Sequence, residues 1–297
     1  NDLALRIAFA QTGGTGVIVT QNAYHGVTHT VSGLSPSLGA GVALGHHVRT
    51  IPAPDPAQMT GDLGQAFAAS VQAAIDDLHR HGIKPAVLIV DTVFSSDGVF
   101  ADPAGFLQPA VQTIRNAGGL FIADEVVTAF GRLGHWFASL AEFGVQPDMI
   151  TSAKGLTSGY QPLGAVIFSD RIWEAMAQGG HRWFTSGLTY SGHPVACAAA
   201  LKNIEIIERE DLLAHATKVG TYFETRMAAL SALPLVGDVR GRKLMLCVEN
   251  VANKATKALL PDEINESKRI SNVCESLGLL VRPIGHLNVM SPPLVIT

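Results

Sequence analysis

Short apolar runs alternate with longer amphipathic stretches through the first part of this chain. The apolar runs are residues 17–20, 86–90, 120–123, 149–152 and 163–168. The stretches with apolar side chains at helical spacing are residues 62–81, 104–117 and 170–177. Strands that are apolar on both faces and alternate with helices are typical of a parallel sheet covered on both sides. The alternation therefore predicts an α/β fold with a mainly parallel sheet.

The pattern changes after about residue 211. A helical stretch runs to residue 230, and the apolar runs that follow are residues 235–239, 244–248, 279–282 and 287–290, with a predicted helix at 262–277. This order of helical stretches and short apolar runs favours a smaller α+β unit. We therefore predict a large domain over residues 1–205 and a small domain over 206–297. Residues 33–56, rich in Gly, Pro, Ser and His, are predicted to form a loop.

The composition excludes several classes of protein. With 297 residues, of which 47% are apolar, the chain is not disordered and can bury a sizeable core. A net charge of −4 gives no reason to expect nucleic acid or an anionic membrane as a partner. No apolar stretch is long enough to span a membrane. The 3 cysteines are widely spaced and form no CxxC pair, so we expect a reducing compartment, the cytoplasm.

Two of the predicted strands end in polar residues that can do chemistry. Asp124 and Glu125 follow residues 120–123, and Lys154 lies between residues 149–152 and a glycine-rich turn. In an open α/β sheet the ligand crevice lies outside the carboxyl ends of the strands. Taken singly, the acids can equally cap helices or form ion pairs, and Lys154 can be a solvated loop lysine. The hypothesis that the chain is a P-loop nucleotide hydrolase requires a GxxxxGK[ST] turn to bind phosphates, and this sequence lacks one.

Taken together, the acid and the lysine predict a cofactor that is held as a Schiff base. Pyridoxal phosphate needs a lysine amine for its aldehyde and a carboxylate that keeps its pyridine nitrogen protonated. Lys154 and Asp124 can supply these two groups. We also expect Lys154 to be partly desolvated between its strand and the turn, which would make its amine a better nucleophile.

Several ordered segments resemble the signatures of the class III, omega-type aminotransferases. They are residues 123–132, 147–148, 152–155 and 189–194, with further similarity at 23–26 and 281–283. The resemblance covers residues 1–297 and implies the fold type I architecture of pyridoxal-phosphate transferases. It also implies that this chain lacks the family's N-terminal segment, with its phosphate-binding turn before Asn1, and the closing helix after Thr297.

The resemblance implies a role for each matching residue. Lys154 matches the lysine that forms the internal aldimine and moves a proton, and Asp124 matches the carboxylate on the pyridinium nitrogen. Arg282 matches the arginine that pairs with a substrate carboxylate, a role that suits its planar fork. The other implied cofactor-binding residues are Tyr24 and Val126 on the two faces of the ring, His25, Asp91 and Thr189. Thr189 matches a hydroxyl that reaches the cofactor of a neighbouring subunit, which implies a homodimer with the active site at the subunit interface.

The resemblance implies a ping-pong transfer of an amino group. The donor would be an amine or an omega- or beta-amino acid, and the acceptor a 2-oxo acid such as pyruvate or glyoxylate. Two other hypotheses stay open, because the same fold and lysine can serve elimination. One is a pyridoxal-phosphate-dependent lyase acting on a phosphorylated amino alcohol, and the other is a non-catalytic partial chain.

Two segments depart from the family pattern. Residues 91–98 replace a Glu-Pro-x-x-Gly-like segment, and Ser96 stands where ornithine-type members carry a glutamate, so an ornithine-type switch is not expected. Residues 240–244 read Arg-Gly-Arg-Lys-Leu instead of the usual Arg-Gly-x-Gly-Leu.

The histidines fall on predicted loops and helix surfaces rather than in a fixed ligand geometry, so no metal site is predicted. Glu125 and Arg132 are expected to be structural pairing partners.

Overall fold

The computed structural model describes residues 1–177 and 184–297 as two sheets with helices packed against them. The elements of the first sheet and its helices are α1 (Asp2–Thr12), β1 (Gly16–Thr20), α2 (His29–Ser32), β2 (Val48–Ile51), α3 (Leu63–Arg80), β3 (Pro85–Asp91), α4 (Leu107–Asn116), β4 (Leu120–Asp124), α5 (Ala138–Ala141), β5 (Met149–Ser152), β6 (Ala165–Phe168), α6 (Asp170–Ala177) and α7 (Pro194–Arg209). The elements of the second part are α8 (Leu212–Ala228), β7 (Val236–Arg242), β8 (Met245–Asn250), α9 (Glu266–Ser276), β9 (Arg282–Ile284) and β10 (Leu287–Met290).

The first sheet has the strand order β2-β1-β3-β4-β5-β6. Every neighbouring pair is parallel except β5 and β6, which are antiparallel. The prediction of a mixed α/β fold with a mainly parallel sheet is therefore confirmed. In this sheet Asp91 lies opposite Asp124, and Asp124 lies opposite Thr151, so the polar residues that end three strands meet at one edge.

The central strands are apolar on both faces because helices cover both sides of the sheet. Along β3, Leu88 and Val90 join the core under α3 and α4, whereas Val87 and Ile89 join the core under α1. Successive side chains of a strand point to opposite faces, so a continuous apolar run supplies two cores at once. This packing fixes the strands firmly and leaves their carboxyl ends free to carry polar side chains.

Three local predictions were wrong. The segment 33–56, predicted as loop, contains the edge strand β2, which has only Val48 and Ile51 as buried residues and so gives a weak pattern. The run 163–168 was expected to be fully buried, but β6 begins at Ala165 and is an edge strand that is only partly buried. Residues 279–281 lie outside any strand, and β9 begins at Arg282.

The second sheet is antiparallel, with the order β7-β8-β10-β9, and helices α8 and α9 pack against it. Met245, Cys247 and Val289 project from it into the core under α3 and α4, so its inner face is continuous with the first part of the molecule. The predicted boundary between residues 205 and 206 falls inside α7, and the division into two domains stays a prediction.

The turn between β7 and β8 gives the unusual residues 240–244 a structural explanation. Lys243 has a left-handed backbone, with φ 47°, a conformation that glycine adopts without strain. Its backbone N–H donates to Glu224 Oε1 at 2.6 Å, and its Nζ donates to Thr221 Oγ1 at 3.0 Å. A Cβ on Gly220 would lie 2.7 Å from the Cα of Lys243. The lysine therefore docks the turn closely onto α8.

Candidate active site

The carboxyl ends of β1, β3, β4 and β5 form one edge of the first sheet. Asp124 ends β4 and is buried there. His25 Nδ1 lies 2.7 Å from Asp124 Oδ2, Asn1 Nδ2 donates to the same oxygen at 2.9 Å, and the Val126 N–H donates to Oδ1 at 3.1 Å. Burial alone would raise the pKa of Asp124, but the hydrogen bond and charge of His25, with the bonds from Asn1 and Val126, hold it below its usual value. Asp124 is therefore a buried carboxylate that stays ionised.

Asn1 links three parts of this edge, and nothing in the sequence had pointed to it. Besides its bond to Asp124, its side chain donates to the backbone carbonyl of His25 at 2.7 Å and accepts from Thr151 Oγ1 at 2.7 Å. His25 is buried, and its Nε2 has no hydrogen-bond partner among residues 1–177 and 184–297. The site thus orients the imidazole through Nδ1 and leaves one buried polar atom free to meet another group.

Asp91, at the end of β3, is the second carboxylate of this edge. It accepts hydrogen bonds from the backbone N–H groups of Val93 at 3.1 Å and Ser95 at 2.9 Å, and from the Ser95 hydroxyl. Burial raises the pKa of Asp91, and the nearby charge of Asp124 adds to this, although the Ser95 hydrogen bonds oppose it. Asp91 is therefore held by its own loop rather than by a basic side chain.

Asp97 is a third acid near this edge, and sequence reasoning had passed over it. It accepts from Thr20 Oγ1 at 2.6 Å and from the Asn22 N–H at 3.0 Å, and so ties the loop after β3 to the end of β1. Burial raises the pKa of Asp97 to about 6. Its spacing from the other acids in the chain carries no motif, and only the fold brings it beside β1.

Lys154 follows β5 and lines a cavity of about 810 Å³, which is also lined by Val126, Ser95 and Arg282. Its backbone is left-handed, with φ 39°, a strained conformation that persists where the surroundings enforce it. Asn203 of α7 holds the turn after the lysine by donating to Gly155 O at 2.8 Å. The expectation that Lys154 is desolvated was wrong, because its side chain is exposed at the cavity.

The structure brings some of the predicted site residues together and leaves others apart. Lys154, Val126 and Arg282 share the cavity, and Asp124 is joined to it through the Val126 N–H. Tyr24 is 45% exposed and lies outside the cavity lining. Thr189 is also exposed and lies outside the lining.

Glu125 is a structural residue, as predicted. It is fully buried, and its carboxylate accepts from the N–H groups of Ala138 and Ser139 at 2.7 Å, at the start of α5, and from Thr128 Oγ1 at 2.9 Å. Arg132 was expected to have a pairing partner of opposite charge, but it donates instead to the backbone carbonyls of Leu244 and Pro292.

Within residues 1–177 and 184–297, no group of three or more His, Cys, Asp or Glu side chains is placed to hold a metal ion. None of the helices found there combines the length and the apolar character needed to cross a membrane.

Comparisons with known proteins agree with this architecture. The profile of the class-III aminotransferase family matches residues 1–297. The chain belongs to the class-III aminotransferase family. It is 32% identical to an uncharacterized aminotransferase of Sinorhizobium fredii, over 95% of this chain and 62% of that protein. It is 35% identical to the putrescine–pyruvate aminotransferase of Pseudomonas aeruginosa, over 94% of this chain and 62% of that protein.

The structural comparison confirms the predicted fold type I architecture of this class-III family member. A crystal structure of a Vibrio fluvialis aminotransferase in its PMP-bound form superimposes with a TM-score of 0.88 at 29% identity, covering 100% of this chain and 69% of that one. The chain thus spans 62% of the length of the two curated relatives. The roles of individual site residues stay predictions.

Proposed function

We propose that this chain forms the cofactor-holding part of a pyridoxal-phosphate-dependent transaminase. The enzyme would move an amino group from an amine, or from an omega- or beta-amino acid, to a 2-oxo acid such as pyruvate or glyoxylate, in two successive half-reactions. The observation that carries this proposal is that a buried, ionised Asp124 and an accessible Lys154 amine lie at the same edge of the sheet. Val126 connects the two, because it donates to Asp124 and lines the cavity of Lys154. The family and the names of the relatives support the reaction class.

The side chains present fit pyridoxal phosphate. A carboxylate that stays ionised although buried suits a protonated ring nitrogen, and the open cavity beside it has room for a ring. Val126 offers an apolar contact for one ring face. When bound, pyridoxal phosphate supplies an electron sink for the negative charge that develops on the carbon next to the substrate nitrogen.

Asp124 would keep a proton on the ring nitrogen of the cofactor. His25 and Asn1 both bind Asp124 Oδ2, which leaves Oδ1 with the Val126 N–H as its neighbour. These bonds fix the carboxylate in one orientation and stabilise its charge before any ligand arrives. His25 is therefore a positioning residue in this proposal, because it acts through Asp124.

Lys154 would hold the cofactor through its amine. Once released by the incoming substrate amine, it would move a proton between the two carbon atoms on either side of the substrate nitrogen. Its exposure at the cavity leaves the amine free for both tasks. Arg282, exposed on β9 in the same cavity, would pair with a substrate carboxylate.

Thr189 would complete the site of a neighbouring subunit across a homodimer interface, and its exposure outside the cavity of its own chain supports this role. Tyr24, which is also exposed, would contact the ring face opposite Val126. Asp91 would contribute indirectly, because its loop carries Ser95 into the cavity lining.

The proposal is tested by incubating the purified protein with pyridoxal phosphate, an amine donor and pyruvate. We expect alanine to accumulate, and we expect borohydride reduction followed by peptide mass spectrometry to find the cofactor on Lys154. Release of ammonia and phosphate from a phosphorylated amino alcohol, without alanine, would instead assign the lyase reaction. A protein that retains no cofactor at Lys154 would refute the proposal.

A further inference from the structure

The cavity that contains Lys154 is lined by basic side chains and no acidic ones. Arg132, Lys154 and Arg282 are its charged lining residues, and the other lining residues are apolar, small or uncharged polar. The described residues thus place three positive charges around one space of about 810 Å³. One of these charges, Lys154, is assigned to the cofactor and another, Arg282, to a substrate carboxylate, which leaves Arg132 without a role.

Arg132 uses only part of its hydrogen-bonding capacity. Its Nη1 donates to the carbonyl oxygens of Leu244, at 3.2 Å, and of Pro292. A guanidinium has five N–H donors, and Nη1 carries two of them. Within residues 1–177 and 184–297, the Nε–Nη2 edge makes no hydrogen bond, and no carboxylate pairs with Arg132. That edge is the flat fork that a carboxylate accepts in a bidentate manner.

A partly buried guanidinium without a counter-charge is unusual. Most other partly buried arginines of this chain form salt bridges with acidic side chains, such as Arg240 with Glu249 at 2.9 Å and Arg49 with Asp77. Burial lowers the pKa of Arg132, which reflects the cost of holding its charge away from water. Backbone carbonyls compensate only partly for that cost, and an anion that enters the cavity would supply the missing charge.

Arg132 and Arg282 are anchored to the same stretch of chain. Arg282 lies opposite Val289 in the pairing of β9 with β10, and Arg132 donates to Pro292 just beyond the end of β10. Both arginines line the cavity, together with Val289, Ser291 and Pro293 of this stretch. A ligand that fills the cavity would therefore have both arginines in its surroundings.

We propose that Arg132 is a second anion-recognition residue of this cavity, so that the site takes substrates with two acidic groups, one paired with Arg282 and the other with Arg132. Because the cavity is taken as the substrate site, this assignment rests on the proposed function. It predicts that the site prefers a dicarboxylic donor or acceptor to a monocarboxylic one. A monocarboxylate such as pyruvate would leave the Arg132 fork unpaired.

The proposal is tested with glutarate, monomethyl glutarate and butyrate, titrated calorimetrically into the protein with pyridoxal phosphate bound. None of these probes carries an amino or an oxo group, so the titration measures binding without chemistry. We expect glutarate to bind about tenfold more tightly than either monocarboxylate, as one additional charge-assisted pair gives. Equal binding of the three probes, or no binding of glutarate, would overturn the proposal without changing the protein.

Arg132→Gln and Arg132→Lys test the residue itself. We expect Arg132→Gln to reduce the preference for glutarate to within about twofold while butyrate binding stays nearly constant, and Arg132→Lys, which keeps the charge but not the fork, to retain part of it. Arg242→Gln is the matched control, since Arg242 of β7 likewise links the two parts of the molecule but pairs with Asp102 and Glu142. It should keep the wild-type preference.

Several outcomes separate this proposal from its alternatives. If Arg132→Gln weakens glutarate and butyrate equally, Arg132 only holds the backbone of β10, and the proposal is wrong. If the variant loses pyridoxal phosphate while the glutarate preference survives, Arg132 serves the cofactor's phosphate, and the proposal is again wrong. Failure of the proposed function is a different result, namely that no cofactor is found on Lys154 and no amino group is transferred to either a monocarboxylic or a dicarboxylic 2-oxo acid.

Discussion

The acidic and the basic groups of the candidate site are built in opposite ways. On the acidic side, Asp124, Asp91 and Glu125 follow two strands, and each accepts several hydrogen bonds from the protein itself. On the basic side, Lys154 and Arg282 are exposed at the cavity, and neither has an acidic partner among the described residues. Asp91, Asp124 and Lys154 lie at one edge of the first sheet, whereas Arg282 comes from β9 of the second sheet.

The acidic groups receive their hydrogen-bond partners when the protein folds, whereas the basic groups would receive theirs when a ligand binds. A buried carboxylate without partners is costly, so the fold must supply its donors before any ligand is bound. An exposed ammonium or guanidinium is solvated by water and can wait for a ligand at little cost. Changes on the basic side should therefore affect binding and catalysis, whereas changes on the acidic side should affect stability, catalysis or both.

The largest effect should follow from Lys154→Ala. We expect amino transfer to fall by about a thousandfold or more, because no other amine can hold the cofactor and move the proton. The free energy of unfolding should change by less than about 0.5 kcal/mol, because the side chain is exposed. Lys202→Ala on α7, which removes another exposed lysine, is the control and should keep full activity. Comparable activity in the two variants would break the assignment.

Asp124→Asn and Glu125→Gln compare two adjacent buried acids. Asn can still accept from the Val126 N–H through its one amide oxygen, but it removes the charge and turns an amide N–H group toward Asn1. We therefore expect a folded, somewhat less stable protein with about a hundredfold lower rate. Gln at position 125 would face the N–H donors of Ala138 and Ser139 with an amide, which should lower the free energy of unfolding by about 2 kcal/mol. Chemical denaturation and initial rates distinguish the two. An equal loss of rate in both variants would contradict separate roles.

The sequence was sufficient to predict the central strands and the residues that end them. In β3 and β4 a continuous apolar run is dictated by two helical layers, so the strand, its end and the following acid could all be predicted. The edge strands β2 and β6 could not be located in the same way. An edge strand has a neighbouring strand on one side only, so more of its residues reach solvent, and its pattern of apolar residues is short and incomplete.

The partners of the site residues were beyond reach of the sequence for a related reason. Asn1 meets Asp124, and Asp97 meets Thr20, only because parallel strands from distant parts of the chain end side by side. Arg132 was expected to find an acid, and its carbonyl partners depend on where the second sheet packs. Local spacing encodes neither arrangement, so predictions succeeded for residue types at strand ends and failed for long-range contacts.

A smaller effect, on the acidic side, should come from the ionisation of Asp97. Its pKa of about 6 in the folded protein lies above the ordinary value of 3.8. The folded state therefore binds more protons than the unfolded state between these values, and this residue lowers stability as the pH rises through that window, by about 1–3 kcal/mol. We expect Asp97→Asn to become more stable relative to the wild type between about pH 4 and pH 7.

Urea denaturation at several pH values measures this difference. Asparagine can still accept from the Asn22 N–H and can meet the Thr20 hydroxyl, so the link between the loop after β3 and the end of β1 is kept. The control is Asp76→Asn, an exposed position on α3, whose stability should follow the wild type across the range. If the stability difference for Asp97→Asn does not change with pH, the charge of Asp97 is fully compensated, and its distinction from Asp124 disappears.

The smallest effect should come from Lys243, which resembles Lys154 in backbone conformation but not in its surroundings. Both lysines have positive φ, 47° and 39° respectively. Lys243 is bound to Thr221 and Glu224, whereas Lys154 is exposed at the cavity. Lys243→Ala should keep the strained backbone and lose the side-chain pair. Lys243→Gly loses the same pair but relieves the strain.

We therefore expect Lys243→Gly to be more stable than Lys243→Ala by about 1 kcal/mol, since a left-handed backbone costs an alanine about that much. The wild type should lie close to the glycine variant, because its partly buried ion pair with Glu224 adds about 1 kcal/mol, which offsets the strain. Thermal and urea unfolding at neutral pH measure these differences. If the two variants have equal free energies of unfolding, the left-handed backbone at position 243 is not strained. Strain at Lys154 would then be a property of the active-site edge alone.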